Sequence, residues 1–354
     1  MPEFVHKPDF ESARLHWEAF WQGEMIDRPC TRVLAPKDGV SLLPHPAGLV
    51  HPDDDLSATI RAYDDWASCI YFGGDAVPFY VPNFGPDIYA AFLGADLKFA
   101  KSNGTSWAVP FVDDWKSVEE CLEKPRGYWW DEALDFARQI KTIGEGRFGA
   151  AVWDLHSNLD ALAAIRGPQQ FCMDILDRPN DVEVAVDRVR QSYAPIYDGL
   201  FDASGMYETG SSCWLPYYCE GRFGIVQCDF VCMISPEHAR RFLYPALEEE
   251  LGLLDHSCYH LDGPGALVHV NDILSIERID SVQWVPGDGN APVVEWMDLL
   301  KKIQEAGKSL YIAASPDEVK QCCRELRPDR VFFDVWAASV AEAEALLAWL
   351  KANT

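Results

Sequence analysis

No stretch of this chain approaches the ~20 consecutive apolar residues that span a bilayer, so no membrane-crossing helix is expected. Basic residues are scarce. Thirty Lys and Arg face 56 Asp and Glu, a formal net charge of −26. Such a field repels phosphate backbones and excludes nucleic acid as an expected partner. The opening "MPEFVHKPDFESARLHW" is polar and charged and has no apolar signal-peptide core, which points to a cytoplasmic protein. No CxxC pair with zinc-finger spacing occurs. The eleven cysteines, an odd number, therefore read as reduced thiols. Internal repeats and low-complexity segments are also missing, as are GxGxxG after a strand and GxxxxGK[ST].

What is present is a strand–helix rhythm. The 354 residues are 48% hydrophobic, enough for a large core. Residues 9–25 carry Phe10, Ala13, Trp17, Phe20 and Trp21 at helical spacing, followed by a short strand in "DRPCTRVLAP". "PDDDLSATIRAYDDWASCIY" has an acidic first turn and then helical periodicity. Residues 73–115, rich in Gly, Pro and aromatics, read as a long irregular insertion. "SVEECLEKPRGYWWDEALDFARQIKTIGEG" reads as helix, break, helix, and "RFGAAVWDL" as a strand. "SPEHARRFLYPALEEELGLLDH" reads as one helix. After it, "SCYHLDG", "DSVQWVPG", "SLYIAAS" and "RVFFDVWA" are strands, each followed by a helix. Alternation at this period demands parallel strands with helical crossovers. The expectation is a single (β/α)8 TIM barrel over residues 1–354, with an N-terminal helical extension and the insertion at 73–115. Eight parallel strands should close.

In such a barrel, chemistry sits where strands end. Trp153, Asp154 and His156, then His260 and Asp262, then Trp284, then Asp334 and Trp336 fall at strand ends. His260 and Asp262 are two apart and share a strand face. They read as metal ligands or as an acid–base pair, against the plainer reading of a buried polar strand end. "CWLPYYCEGRFGIVQCDF" adds Glu220, Cys228 and Asp229, with Trp214, Tyr217 and Tyr218 as pocket walls or core. His156 is expected to be an ordinary helix-cap neighbour.

The pieces "FGPDIYAAFLGADLKF", "ALAAIRGPQQFCMDILDRP", "QCDFVCMISPEHARRFLYPALEEEL" and "YHLDGPGALVHVNDILSIERIDSVQWVPGDG", in that order, resemble the uroporphyrinogen decarboxylase-like superfamily. The likeness runs to its corrinoid and coenzyme M methyltransferase branch, and within that to the subgroup often labelled trimethylamine corrinoid protein. It covers most of the chain from "MIDRPCTRVLAP" onward. The resemblance implies a TIM barrel and a zinc-assisted methyl transfer. The chain departs from the pattern in two places. The arginine-rich "RQAGR" stretch of the decarboxylases is replaced by "TRVLAPKDG", with Arg32 the only arginine, so uroporphyrinogen decarboxylation is not expected. The methyltransferases' His-x-Cys-Gly is here His260-Leu261-Asp262-Gly263.

The leading expectation is a metal-assisted methyltransferase acting on a small methylated compound, with a corrinoid protein or a thiol as acceptor. His260, Asp262 and Cys228 are the expected Zn²⁺ ligands. His260, Asp262, Asp229 and Glu220 are the expected catalytic set. Trp153, Asp154, Trp214, Tyr217, Tyr218, Trp284 and Asp334 are expected to bind substrate. Two alternatives stay open: a metal-independent lyase or hydrolase using His260 and carboxylates as acid and base, and a non-catalytic small-molecule-binding protein. Substrate identity and oligomeric state have no signature in the sequence.

Overall fold

The computed structural model describes residues 4–46, 48–117, 122 and 124–354. Its strands are β1 (Cys30–Pro36), β2 (Ile70–Gly74), β3 (Phe79–Tyr80), β4 (Asp96–Ala100), β5 (Thr105–Val109), β6 (Gly149–Ala150), β7 (Phe223–Gln227), β8 (His256–Asp262), β9 (Ser281–Val285), β10 (Ser309–Ala313) and β11 (Val331–Trp336). Seven of them form one ladder in the order β2-β1-β11-β10-β9-β8-β7. From β7 to β1 every pairing is parallel, and helices carry the crossovers between β8, β9, β10 and β11. The protein is thus an α/β fold with a parallel central sheet.

The expected ring of eight parallel strands is not seen as one ladder. β2 runs antiparallel to β1, because the chain re-enters at Pro36↔Ile70 and descends to Arg32↔Gly74. Gly74 has a φ of +59°, and a Cβ there would lie 2.2 Å from the Thr31 carbonyl oxygen, so only glycine fits the turn that follows. β3 and β6 form a separate parallel pair. One bond extends that pairing, one leads from it to the segment before β7, and one joins that segment to β7. The Ala151 N–H donates to the Tyr80 carbonyl (2.8 Å), the Val152 N–H to the Ser212 carbonyl (2.7 Å) and the Phe223 N–H to Ser211 Oγ (2.9 Å).

Other expectations need correction. The "RFGAAVWDL" strand shrinks to two residues, since its neighbours are irregular segments that accept only isolated bonds. The insertion at 73–115 holds a short helix (Ile88–Phe92) and the antiparallel hairpin β4–β5. The helix beginning at Ser235 is two, Pro236–Phe242 and Tyr244–Leu253, because Pro245 cannot donate into a continuous helix. The helix Tyr128–Gly144 is present, while the first half of that expected pair falls largely on residues 118–121 and 123, outside the described residues.

Strand parity positions the site. Phe223, Cys258, Ser281 and Phe332 surround the buried Tyr217. Its ring lies 5.0 Å from those of Phe223 and Phe332, and its hydroxyl 2.6 Å from Ser281 Oγ and 3.6 Å from Cys258 Sγ. Two residues further along β8, β9 and β11, the same face presents His260, Gln283 and Asp334. The helix Phe10–Gln22 caps the opposite, N-terminal end of the sheet. There Trp17 packs on Phe332 (4.6 Å) and Trp21 stacks on His256 (4.5 Å). No described helix is long and apolar enough to cross a membrane.

Candidate metal centre at the strand ends

Two groups of potential ligands converge where β7 and β8 end. Asp229, His260 and Asp262 offer donor atoms within 4.8 Å of one another, and so do His156, Asp160 and Asp229. Asp229 belongs to both. Local structure explains the convergence. β8 ends at Asp262 and puts His260 and Asp262 on one face. The chain leaves β7 through a 3-10 turn, Asp229–Met233. Asp160 pins that turn from the helix Asn158–Arg166, accepting the Asp229 N–H (3.0 Å), the Phe230 N–H (2.8 Å) and the Cys228 thiol (3.5 Å).

Both imidazoles are held by outer groups. His260 Nδ1 lies 2.6 Å from Gln283 Oε1, a pure acceptor, so Nδ1 carries the proton and Nε2 keeps its lone pair. His156 Nε2 lies 3.3 Å from Asp154 Oδ2, and Gln227 Nε2 donates to Asp154 Oδ1 (2.7 Å). His156 Nδ1 faces Asp160 Oδ2 at 3.4 Å and Asp229 Oδ2 at 3.8 Å.

The electrostatics follow from this crowding. Burial alone would lower the His156 pKa, but Asp154 and Asp160 outweigh it, and the imidazolium is held well above its usual range. Burial would raise Asp154, yet the charge of His156 and the bonds from His156 and Gln227 bring it below the ordinary carboxylate value. Asp229 goes the other way. Burial and then the Asp160 charge push its carboxyl up. Beneath the site, Glu250 is fully enclosed, accepts from Ser157 Oγ (2.6 Å) and Asn158 Nδ2 (3.4 Å), and burial lifts its pKa to about 8. Asn158, at φ +46°, is the one non-glycine residue with positive φ among the described residues, and its side chain also ties this network to the Gln227 carbonyl (3.1 Å).

The other expected residues are dispersed. Trp214 touches the centre, its ring 5.2 Å from that of His260 in an edge-on contact. Trp214 also lines a cavity of about 230 Å³, together with Arg32, Tyr63, Trp66, Tyr311 and Asp334. There Asp334 is ion-paired with Arg32 and accepts the Tyr311 hydroxyl (2.7 Å). Arg32 Nε is buried without a partner among the described residues.

Six further expected site residues lie outside the two ligand groups. Trp284 points away from the cavity and packs on Trp296 (5.0 Å), because it is in register with Leu261; the partner of His260 is Gln283. Trp153 likewise faces outward, 4.8 Å from Phe84. Tyr217 and Tyr218 are core, Tyr218 packing edge-on against Phe10 at 5.3 Å. Glu220 precedes β7 instead of following it, so it sits at the N-terminal end, paired with Arg14 at 3.2 Å. Cys228 turns its thiol to Asp160, is in neither ligand group, and burial pushes its pKa well up. The sequence reading missed Asp160, Gln227 and Gln283 and discounted His156. The i,i+4 spacing of His156 and Asp160 at a helix start was the available signal.

No protein-family model matches the chain, and no curated protein matches it. Among solved structures it is similar to a methyltransferase from Methanosarcina mazei, at 12% identity over 99% of both chains with a TM-score of 0.60. At that identity the likeness is one of fold.

Proposed function

We propose that this chain is a metal-dependent methyltransferase built on a (β/α)8 barrel spanning residues 1–354. The convergence of Asp229, His260 and Asp262 at the ends of β7 and β8 carries the reading. The barrel reading draws on the parallel ladder from β7 to β1, on the bond from Val152 just past β6 to Ser212 in the segment before β7, and on the fold likeness to a methyltransferase.

The donor set fits a divalent cation. One imidazole has its proton fixed away from its free nitrogen, and two carboxylates supply negative charge. These are harder ligands than thiolates, so Zn²⁺ and Mn²⁺ both suit them. When bound, the ion acts as a Lewis acid on the substrate heteroatom or on an acceptor thiol. His260, Asp262 and Asp229 would hold it, Gln283 orients His260, and Trp214 touches His260 and also lines the neighbouring cavity. That cavity, at about 230 Å³, lies below the usual ~300–1,000 Å³ of drug-sized pockets and suits a small methylated compound. A corrinoid, where it serves as acceptor, would be carried by a partner protein.

One observation favours a second reading. The His156 imidazolium sits among Asp154, Asp160 and Asp229, a set able to transfer protons without a metal, as in a lyase or hydrolase.

Methyl transfer from a panel of small methylated amines and thioethers to free cob(I)alamin, followed by the gain of methylcobalamin absorbance, tests the proposal. Turnover that chelation removes and added Zn²⁺ restores is expected. Turnover at an unchanged rate in the chelated protein and in His260→Ala would overturn the metal role.

A further inference from the structure

We infer that a second divalent cation binds between His156, Asp160 and Asp229, so that Asp229 bridges two ions. The inference rests on the proposed centre to the extent that Asp229 is shared with it.

Geometry carries the case. Two donors on one tetrahedral ion, at bonds of ~2.0–2.1 Å, stand roughly 3.3–3.4 Å apart. His156 Nδ1 is 3.4 Å from Asp160 Oδ2 and 3.8 Å from Asp229 Oδ2, close to that edge length before any ion draws the groups together. The donors are also held in place. Asp160 is fixed by two backbone N–H groups of the turn that bears Asp229. His156 is anchored at Nε2 by Asp154, and Asp154 by Gln227, which leaves Nδ1 as the nitrogen directed at the two carboxylates. Such a carboxylate–histidine pair is the usual outer support of a metal-bound imidazole.

The second group is not a separate pocket. Asp229 belongs to both sets, and a carboxylate has two oxygens, one for each ion. Paired ions held in this way stand ~3.5–4 Å apart in two-metal enzymes. Charge agrees as well. Asp154, Asp160, Asp229 and Asp262 line the mouth beside His156 and His260, and a cation at His156 Nδ1 would take the place of the proton that these carboxylates otherwise hold there. The chemical consequence is a clamp able to bind a substrate heteroatom on one ion and an acceptor on the other.

The test uses Mn²⁺ as probe. Full-length protein is stripped with chelator, loaded with excess Mn²⁺, desalted, and measured by elemental analysis and low-temperature electron paramagnetic resonance. Two equivalents per chain and the spectrum of a spin-coupled pair are expected. His156→Gln should fall to one equivalent with an uncoupled signal. One equivalent in the wild type, whichever histidine holds it, overturns the second position; if His156→Gln keeps that ion and His260→Ala loses it, the first centre stands alone. Two equivalents without coupling overturn the shared carboxylate. No bound Mn²⁺ overturns both. The wild-type spectrum needs no variant to fold.

Discussion

Gln283 Oε1 stands 2.6 Å from His260 Nδ1, on the strand next to it and in register with it. The contact fixes the tautomer of the only imidazole in the Asp229, His260 and Asp262 group. Removing it should leave the ligands in place but disordered in ring orientation and proton position. Gln283→Ala is expected to weaken metal binding ~10–100-fold with the fold unchanged. Competition with a coloured chelator reads that affinity directly; wild-type affinity in the variant would mean that His260 is not a ligand.

Trp284, in β9, and Trp214, in the segment before β7, should answer truncation in opposite ways. Trp284 is 2% exposed and packs on Trp296, so Trp284→Ala should cost ~3–5 kcal/mol in urea unfolding without lowering metal affinity in the folded protein. Trp214, edge-on to His260, should do the reverse when truncated: metal binding changes, and the stability loss is the smaller of the two. If Trp284→Ala altered metal affinity and Trp214→Ala did not, the placement of Trp214 rather than Trp284 beside the metal centre would be wrong.

That pair also marks how far the sequence could be read. The run of strands from β8 to β11 was legible, because each is a short apolar stretch followed by a helix with clear periodicity. β7 was not marked as a strand, since "FGIVQ" lies inside a segment crowded with Cys, Tyr and Trp. At the site, the strand was right but the parity was not. Trp284 is chemically conspicuous and Gln283 is not, yet only Gln283 shares a face with His260. Glu220 misled for another reason. A residue before a strand and one after it look alike in sequence, but they lie at opposite ends of the sheet.

Glu250 makes stability depend on pH. Burial raises its folded pKa from 4.5 to about 8, so the folded state holds the proton more tightly than the unfolded one. Its contribution is intact below the unfolded value and is lost as pH rises toward the folded value, a span worth ~5 kcal/mol at most. Glu250→Gln keeps the acceptor for Ser157 and removes the charge. The variant should match wild type near pH 4.5 and exceed it at pH 8. Denaturant midpoints at the two values decide; a gain that appears only in acid would reverse the sign.

Uroporphyrinogen should not be decarboxylated. Arg32 is the single arginine in its stretch and is already paired with Asp334, while four aspartates line the neighbouring mouth. Each missing charged hydrogen bond to a substrate carboxylate costs about 1.5–3 kcal/mol, and several are missing together. Coproporphyrinogen formed at ordinary enzyme concentration would contradict this.

The most direct measurement is the zinc content of wild type and His260→Ala after dialysis against zinc-supplemented buffer and desalting. Wild type should retain at least one equivalent, and His260→Ala should lose one while keeping its fold by circular dichroism, because a strand-end residue supports little of the core. Less than about a tenth of an equivalent in wild type, or equal zinc in both proteins, would contradict a metal held through His260.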